Sequence, residues 1–253
     1  MLSLEHLTLG YGSRTLLKDI SMQVSAGTLT ALVGRNGTGK STLLRTLAGL
    51  NDHYTGSIRL GGKPLPSLSP LQRATTVSFV NTDKVRIANL TSQDVVALGR
   101  APYTNWVGRM QEEDRLLVTH ALEVVGMADF AHKSLDQMSD GECQRVMIAR
   151  ALAQDTPIIL LDEPTAFLDL PNRYALAMLL RRLAHEEQKC ILFSTHDLDV
   201  ALTLCDSVAL IDTPHLHHLP AEAMAASGHL ERLFAGEGIH FDAASQHICL
   251  DKK

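Results

Sequence analysis

A glycine-rich segment with one lysine and several hydroxyl side chains carries the clearest chemical signal in this sequence. It follows the pattern Gly-x-x-x-x-Gly-Lys-Ser and consists of Gly34, Arg35, Asn36, Gly37, Thr38, Gly39, Lys40, Ser41 and Thr42. A loop of this pattern turns its backbone N–H groups inward and surrounds a chain of phosphates. We expect Lys40 to reach the β- and γ-phosphates and the Ser41 hydroxyl to ligate Mg²⁺.

Apolar segments on both sides supply the context that this pattern requires. Residues 29–33 predict a strand before the loop, and the leucines of residues 43–50 recur at helical spacing after it. A helix that begins near Lys40 adds the positive end of its dipole to the same anion site. The alternative is a glycine-rich surface turn, and the strand–loop–helix context favours the phosphate loop.

A second set of candidate catalytic groups ends an apolar strand at residues 158–161. We expect Asp162 to hold the Mg²⁺ shell beside the phosphate loop, and Glu163 to orient or deprotonate the attacking water. The alternative is a strand that ends in a solvated acidic turn. The phosphate loop earlier in the chain favours the catalytic interpretation.

The segment at residues 135–142 precedes a helix rich in Arg and Ala. Ser139 and Glu142 form a Ser-x-x-Glu capping box, and a simple helix cap is one interpretation of them. In combination with the two elements above, the segment resembles the signature motif of ATP-binding-cassette (ABC) ATPases, usually Leu-Ser-Gly-Gly-Gln. Ser139 and Gly141 are identical to that motif, whereas Asp140 replaces a glycine. We expect Asp140 to point away from a phosphate.

The resemblance implies roles for further residues. Tyr11 matches the aromatic residue that stacks on adenine, although a lone tyrosine also serves for packing. Asp169 lies in the segment 167–169, which follows Glu163 as the family's dimer-contacting loop does. His196 matches the histidine that contacts the γ-phosphate and the water-positioning glutamate, with a purely structural histidine as the alternative.

One position departs from the family pattern. The family has a glutamine after the strand at residues 77–80, and this chain has Asn81 and Thr82 there. Either side chain offers an oxygen to Mg²⁺, and we count Thr82 as a candidate metal ligand beside Ser41 and Asp162. Hydrolysis is expected to persist because the other catalytic candidates are present, namely Lys40, Asp162, Glu163 and His196.

The order of apolar patterns predicts how these groups are positioned. The chain is rich in strand patterns up to residue 82, helical from 83 to 155, and alternates strand and helix from 156. The resemblance implies an α/β P-loop NTPase of ABC type, with a RecA-like parallel-sheet core, an N-terminal antiparallel β subdomain and an inserted helical subdomain. Residues 1–253 are interpreted as one ABC ATPase domain, with 1–82 and 156–253 as the core and β subdomain and 83–155 as the helical subdomain.

Composition narrows the class of protein. The net charge of −5 argues against nucleic acid as the main partner. The apolar runs are much shorter than a membrane span, and the N-terminus does not resemble a signal peptide. The four cysteines are scattered without the spacing of metal ligands, which predicts reduced, structural thiols in a cytosolic protein.

The segment at residues 95–109 resembles the cassettes of importers for ferric siderophores, haem and cobalamin. The resemblance implies ATP and Mg²⁺ as cofactors, a homodimer of cassettes, integral-membrane permease subunits, and a solute-binding protein that acts indirectly. It places the chain on the cytoplasmic face of the inner membrane, with the permease docked on the 83–106 surface. Tyr103 and Trp106 are candidate docking aromatics, and ordinary packing is the alternative for each.

Two other functions are alternatives to this interpretation. A soluble, non-transport ABC ATPase usually has tandem cassettes, long coiled coils or basic tracts, none of which this sequence shows, and an exporter cassette is disfavoured by the resemblance of residues 95–109. The transported solute is not encoded in this chain, because an importer's specificity resides in its other subunits. The roles of the C-terminal tail and of His215, His217 and His218, as metal ligands or as a solvated turn, are left open.

Overall fold

The computed structural model describes residues 1–11, 14–82, 89–104, 110–166, 168–234, 238–243, 245 and 247–250. Along the chain its elements are β1 (Leu2–Tyr11), β2 (Arg14–Val24), β3 (Thr28–Gly34), α1 (Lys40–Leu47), β4 (Tyr54–Leu60), β5 (Lys63–Pro64), α2 (Pro70–Ala74), β6 (Val77–Val80), α3 (Ser92–Ala97), α4 (Glu112–Val124), α5 (Asp140–Ala153), β7 (Ile158–Leu161), α6 (Leu170–Glu186), β8 (Cys190–Ser194), α7 (Leu198–Leu204), β9 (Ser207–Asp212), β10 (His215–Pro220), α8 (Ala221–Ala226), α9 (His229–Phe234), β11 (Ile239–Asp242) and β12 (His247–Leu250).

The first sheet is antiparallel and has the strand order β2-β1-β4-β5. The apolar spacing of Leu2, Leu4, Leu7 and Leu9 predicts a strand with a bend. In agreement, the pairing of β1 with β2 shifts register at three places between Leu4 and Gly10. Inward-facing residues of β1 and β2, such as Leu2 and Leu17, pack with Leu43 and Leu47 of α1 into one of the two hydrophobic cores. This sheet therefore supports the phosphate-loop helix from one side.

The second sheet has six strands in the order β10-β9-β3-β8-β7-β6. The neighbours from β9 to β6 are parallel, and β10 pairs antiparallel at the edge. Strands β3, β7 and β8 are buried over almost their whole length, as expected for a parallel sheet covered on both faces. Because parallel strands end at the same edge, this sheet brings together the chain segments that follow β3, β7 and β8.

Helices α3, α4 and α5 lie in the chain between β6 and β7 and pack against one another. A buried ion pair joins them. Arg100 Nε donates to Asp114 Oδ1 at 2.9 Å, and the same guanidinium donates to the Ala153 carbonyl at 2.8 Å. Hydrogen bonds from the Gln111 backbone N–H and from Arg100 lower the pKa of Asp114. One charged pair thus connects the segment after α3 with the start of α4 and the end of α5.

Two apolar residues differ from the predicted pattern. Helix α1 ends at Leu47, so Leu50, which continued its periodicity, is 62% exposed. The spacing of Leu116, Leu117, Ala121, Leu122 and Val125 predicts an amphipathic helix with Leu116 on its apolar face. Leu116 is 63% exposed, because Val118, Ala121 and Leu122 form the buried face of α4. The bounds of β6 and β7 match the predicted strands at residues 77–80 and 158–161.

The cysteines agree with their prediction as structural thiols. Cys143, Cys190 and Cys205 are buried, Cys249 is half-buried, and all four are thiols outside any disulfide. Burial raises the pKa of Cys190 to about 11, and it also raises the pKa of Cys205. In the described part of the chain, none of the helices combines the length and the apolar character needed to cross a membrane.

Candidate active site

The phosphate loop connects the end of β3 with the start of α1. Gly39 precedes α1 with a φ of 106°, a backbone conformation that favours glycine, and Gly37 has a φ of 75°. Thr38 Oγ1 donates to the carbonyl of Arg35 at 2.8 Å and closes the turn. The predicted strand–loop–helix arrangement is therefore present, with the first N–H groups of α1 directed toward the loop.

Lys40 folds back over this loop. Its side chain is only 5% exposed, and Nζ donates to the carbonyls of Gly34 at 2.8 Å and Arg35 at 3.2 Å. Burial lowers the pKa of Lys40, while the charges of Glu163 and Asp162 act in the opposite direction. A chain of phosphates beside the loop adds further negative charge, which favours the protonated form of Lys40.

Asp162 is held at the end of β7 by contacts to two neighbouring segments. Asp162 is 2% exposed, and its Oδ1 accepts a hydrogen bond from Ser194 Oγ at 2.7 Å. The same Ser194 oxygen accepts from the Glu163 backbone N–H at 2.8 Å. Ser194 thus positions both carboxylate residues. Sequence reasoning missed it; the available signal was a serine at the end of the strand that precedes His196.

Glu163 and His196 are brought together as predicted. Glu163 Oε1 and His196 Nε2 lie 2.7 Å apart, on segments that follow the adjacent strands β7 and β8. Glu163 has a φ of 47°, which is uncommon for a residue other than glycine. This conformation turns the backbone at Glu163 away from the direction of β7. Residues in such conformations cluster at functional sites.

Thr82 contacts the backbone of Asp162. Its Oγ1 donates to the backbone carbonyl of Asp162 at 2.9 Å, so its proton is occupied within the protein. The lone pairs of the hydroxyl are the groups that can face a cation. Of the two residues that stand where the family has a glutamine, Thr82 thus lies next to the candidate metal ligand Asp162.

The capping box at the start of α5 is confirmed. Ser139 Oγ accepts from the Glu142 backbone N–H at 3.3 Å, and Glu142 Oε2 accepts from the Ser139 backbone N–H at 2.7 Å. That backbone hydrogen bond is the main cause of the lowered pKa of Glu142, and Lys133 contributes to it. At Gly141 an added Cβ would lie 3.0 Å from Leu168 Cδ2, so this segment packs closely against the loop before α6.

Asp169 forms the N-cap of α6, where its Oδ1 accepts from the Asn172 backbone N–H at 3.2 Å. Other residues predicted from the family pattern lie outside the described residues: Gly12, Phe167, Trp106 and the side chain of Tyr11. Residues 83–88 and 105 of the predicted docking surface lie outside them as well.

The histidines of β10 make protein contacts. The ring of His217 stacks on that of His229 at 3.7 Å between centroids, and His218 Nε2 lies 3.0 Å from Ser207 Oγ. Burial is the first cause that lowers the pKa of both His217 and His218. Within the described ranges, no group of three or more His, Cys, Asp and Glu is arranged to hold a metal ion. These contacts favour packing over the alternative of a metal site.

Comparison with known proteins agrees with this geometry. Residues 17–166 match the family model described as ABC transporter. An uncharacterised ABC transporter ATP-binding protein of Methanocaldococcus jannaschii is 40% identical over 211 residues, which cover 83% of this chain and 73% of that protein. The iron(3+)-hydroxamate import ATP-binding protein of Bacillus subtilis is 38% identical over 200 residues, covering 79% and 74% of the two chains. The ferric enterobactin transport ATP-binding protein of Escherichia coli is 37% identical over 197 residues, covering 78% and 73%.

Solved structures show the same fold. An ABC transporter assigned to the metal-chelate type, in an inward-facing conformation, has a TM-score of 0.81 at 27% identity and is matched over 92% of this chain and 88% of that one. A dimeric cassette in a post-hydrolysis state, bound to ADP and Pi, has a TM-score of 0.76 at 27% identity, over 87% and 99% of the two chains. The family model spans more than half of the sequence, and several relatives exceed 30% identity. This chain therefore belongs to the ABC transporter family.

Proposed function

We propose that this chain hydrolyses ATP as the motor subunit of an importer that carries iron chelates, such as siderophores, haem or cobalamin, through a separate membrane permease. The observation that carries the hydrolytic part is the convergence of Lys40, Asp162, Glu163 and His196 at one edge of the parallel sheet. Relatives named for iron(3+)-hydroxamate import and ferric enterobactin transport support the class of substrate.

The residues present fit a magnesium ion. The Asp162 carboxylate is almost fully buried, and a buried carboxylate requires a compensating cation or strong hydrogen bonds. Ser41 and Thr82 offer hydroxyl oxygens, which together with a carboxylate oxygen are the donors that Mg²⁺ prefers. When bound, Mg²⁺ neutralises charge on the phosphate oxygens. Ser41, Asp162 and Thr82 are the residues that would hold it.

The protein's own part in hydrolysis is positioning and charge stabilisation. Lys40 exchanges its backbone carbonyl partners for phosphate oxygens when ATP binds, which keeps a buried ammonium group compensated. Glu163 Oε1 is held by His196, so Oε2 is the carboxylate oxygen left to accept a proton from water. Ser194 fixes the backbone of Glu163 relative to the Asp162 carboxylate. These fixed groups thereby align the attacking water.

The site is proposed to be completed by a second copy of the chain. In this arrangement Ser139 and Gly141 of one chain close over the γ-phosphate bound by the other, and the segment with Asp169 contacts the partner. Support comes from the dimeric cassette structure, which is similar to this chain over most of its length. The N-terminus of α5 suits this role, because its N–H groups and dipole favour an anion. Asp140 is proposed to face away from that anion.

A groove suited to a permease lies beside the site. It has a volume of about 520 Å³ and is lined by Arg45, Leu50, Phe79, Asn81, Val95, Leu98, Met147 and Arg150. Leu50 and Leu98 are 62% and 53% exposed and line the same groove, and exposed apolar side chains that lie together are typical of interaction sites. We propose that a short helix of the permease docks here, that the chain works at the cytoplasmic face of the inner membrane, and that a solute-binding protein acts on the permease from the other side.

Replacing the proposed general base tests the hydrolytic assignment. In the assembled complex, Glu163→Gln is expected to lower kcat for ATP by about 10²-fold or more, because the amide cannot accept a proton from water. ATP binding is expected to remain, and ATP is expected to hold two chains together as a dimer in size-exclusion chromatography. Phosphate release measures the rate, and Glu187→Gln, at the exposed end of α6, is the matched control. Wild-type turnover by Glu163→Gln would contradict the assignment.

A further inference from the structure

Arg173, on the first turn of α6, contacts two loops of the proposed site. Its Nε donates to the Leu168 carbonyl at 2.8 Å, and its Nη1 lies 3.8 Å from Asp197 Oδ2, within ion-pair range. The Arg173 side chain is partly exposed, whereas that of Asp197 is largely covered. One side chain therefore joins the loop before α6 to the residue that directly follows His196.

Asp197 is itself rigidly placed. It is the N-cap of α7, where Oδ1 accepts from the Val200 backbone N–H at 3.1 Å, and its own N–H donates to Thr195 Oγ1 at 3.1 Å. The ion pair with Arg173 uses the other carboxylate oxygen. Arg173 is thus connected to the segment 195–197, whose middle residue, His196, lies 2.7 Å from Glu163 through Nε2 and Oε1.

The neighbouring residue on α6 makes the matching connection to the helical region. Arg145 of α5 donates through Nη2 to Asn172 Oδ1 at 3.3 Å, and Asn172 Nδ2 donates to Asp169 Oδ1 at 2.6 Å. Close packing of Gly141 against Leu168 adds an apolar contact between the same two regions. The first turn of α6 is therefore in contact with α5, whose N-terminus carries the signature segment, and with the segment of His196.

We propose that Arg173 is a positioning residue that couples the signature segment of a chain to the His196–Glu163 pair of the same chain. The signature segment of one chain is proposed to close over the ATP bound by its partner. Through Arg173, that closure would align the attacking water beside His196 and Glu163 at the first chain's own ATP site. The inference rests on the proposed dimeric ATPase. It assigns to Arg173 an effect on the chemical step and on cooperativity, with little effect on ATP binding.

The test uses the full chain assembled with its permease, and the variants Arg173→Met and Asp197→Asn. Asparagine caps a helix as well as aspartate, so Asp197→Asn removes the charge and keeps the start of α7. Each variant is expected to lower kcat by about 3- to 10-fold with KM for ATP within twofold of wild type, and to lower the Hill coefficient toward 1. The double variant is expected to be no slower than the slower single one, because both remove the same interaction.

The control is Arg182→Met, an exposed arginine on the same helix, which is expected to leave kcat and the Hill coefficient unchanged. Unchanged kinetics in Asp197→Asn, additive losses in the double variant, or losses that follow a drop in Tm would overturn the inference. If Arg173→Met does not fold, Asp197→Asn decides alone by the same criteria. A wild-type complex without ATP turnover would instead contradict the proposed function, so the two failures are distinguishable.

Discussion

Glu163 adopts a left-handed backbone conformation that costs free energy, and its neighbours compensate for it. A residue other than glycine at a φ of 47° is disfavoured by about 1–3 kcal/mol unless the surroundings hold it. Here the Glu163 N–H donates to Ser194 Oγ, and its carboxylate contacts His196. The local strain is thus offset by two contacts from the adjacent strand end. These contacts fix the position of the Glu163 carboxylate, the proposed water-orienting base.

Removing the Ser194 hydroxyl is expected to harm both stability and catalysis. Ser194→Ala takes away a hydrogen bond of the Glu163 N–H and one of Asp162 Oδ1, which is expected to cost about 1–3 kcal/mol of the free energy of unfolding. Urea denaturation measures this cost, and phosphate release measures a parallel fall in kcat. Ser194→Thr keeps the hydroxyl and serves as the comparison. An alanine variant with wild-type stability and kcat would show that the hydroxyl has no positioning role.

At this scale, sequence reasoning located the residues with diagnostic chemistry. Lys40, Asp162, Glu163 and His196 could be named because their types and spacing match a known pattern. Ser194 was missed although it ends the strand before His196, because its importance arises from the pairing of β7 with β8, which is a long-range property. The role of Thr82 is still a prediction, although its contact with the Asp162 carbonyl places it beside the proposed metal ligands.

At the scale of elements, the helices between β6 and β7 depend on one buried ion pair. Arg100 and Asp114 are both nearly inaccessible to solvent, and Arg100 also donates to the Ala153 carbonyl. Removing one partner of such a pair leaves an uncompensated buried charge. The relative placement of α4 and α5 is therefore sensitive to this pair, and with it the start of α5, where Ser139 lies.

The pair predicts a specific dependence of stability on acid. The pKa of Asp114 is lowered in the folded chain, so its contribution is present above its unfolded pKa of about 3.9 and is lost as pH falls through the folded value. Asp114→Asn is expected to be less stable at neutral pH and to lose less stability between about pH 5 and 2 than wild type. Denaturant titrations at several pH values measure both. An unchanged acid slope in the variant would contradict this role of Asp114.

Most helices and strands were predictable because the spacing of apolar residues that marks each one lies within a short stretch of sequence. The buried strands β6 and β7 match their predicted bounds, and the α/β class with an antiparallel N-terminal sheet is confirmed. The end of α1 and the exposed position of Leu116 were not predictable, because they depend on which neighbours cover each face. The division of the chain at residues 82 and 155 remains a prediction.

At the scale of the whole molecule, two exposed leucines lie close together because they line the groove described above. Leu50 follows α1, and Leu98 follows α3, so distant parts of the chain contribute to one apolar surface. Sequence reasoning placed docking on residues 83–106, a prediction that stays untested, and this range includes Val95 and Leu98 of the groove. Arg45, Phe79 and Met147 also line the groove, and their contribution depends on the folded arrangement.

Placing a charge in this groove is expected to separate transport from ATP binding. Leu98→Glu and Leu50→Glu are expected to lower uptake of a ferric chelate by about tenfold or more, because a buried unpaired carboxylate opposes docking. ATP affinity of the purified chain is expected to stay within twofold of wild type. The control is Leu71→Glu, an exposed leucine that does not line this groove.

Two outcomes of this experiment would change the interpretation. Wild-type uptake in both groove variants would remove the docking assignment. Failure of the wild-type chain to co-purify with any membrane permease would favour the alternative of a non-transport ABC ATPase. Co-purification that is lost in Leu98→Glu and kept in Leu71→Glu supports the proposed subunit.

The burial of the cysteines has a practical consequence for observing this motor at work. Thiol-reactive dyes and spin labels attack the thiolate, and a thiol that is covered and has a raised pKa supplies almost none at neutral pH. Cys190 and Cys205 therefore react very little, Cys143 is covered as well, and Cys249 alone among the four is partly accessible. After Cys249→Ser, a single cysteine introduced at an exposed position gives a site-specific probe, so the closing of two chains around ATP becomes a distance that spectroscopy can follow.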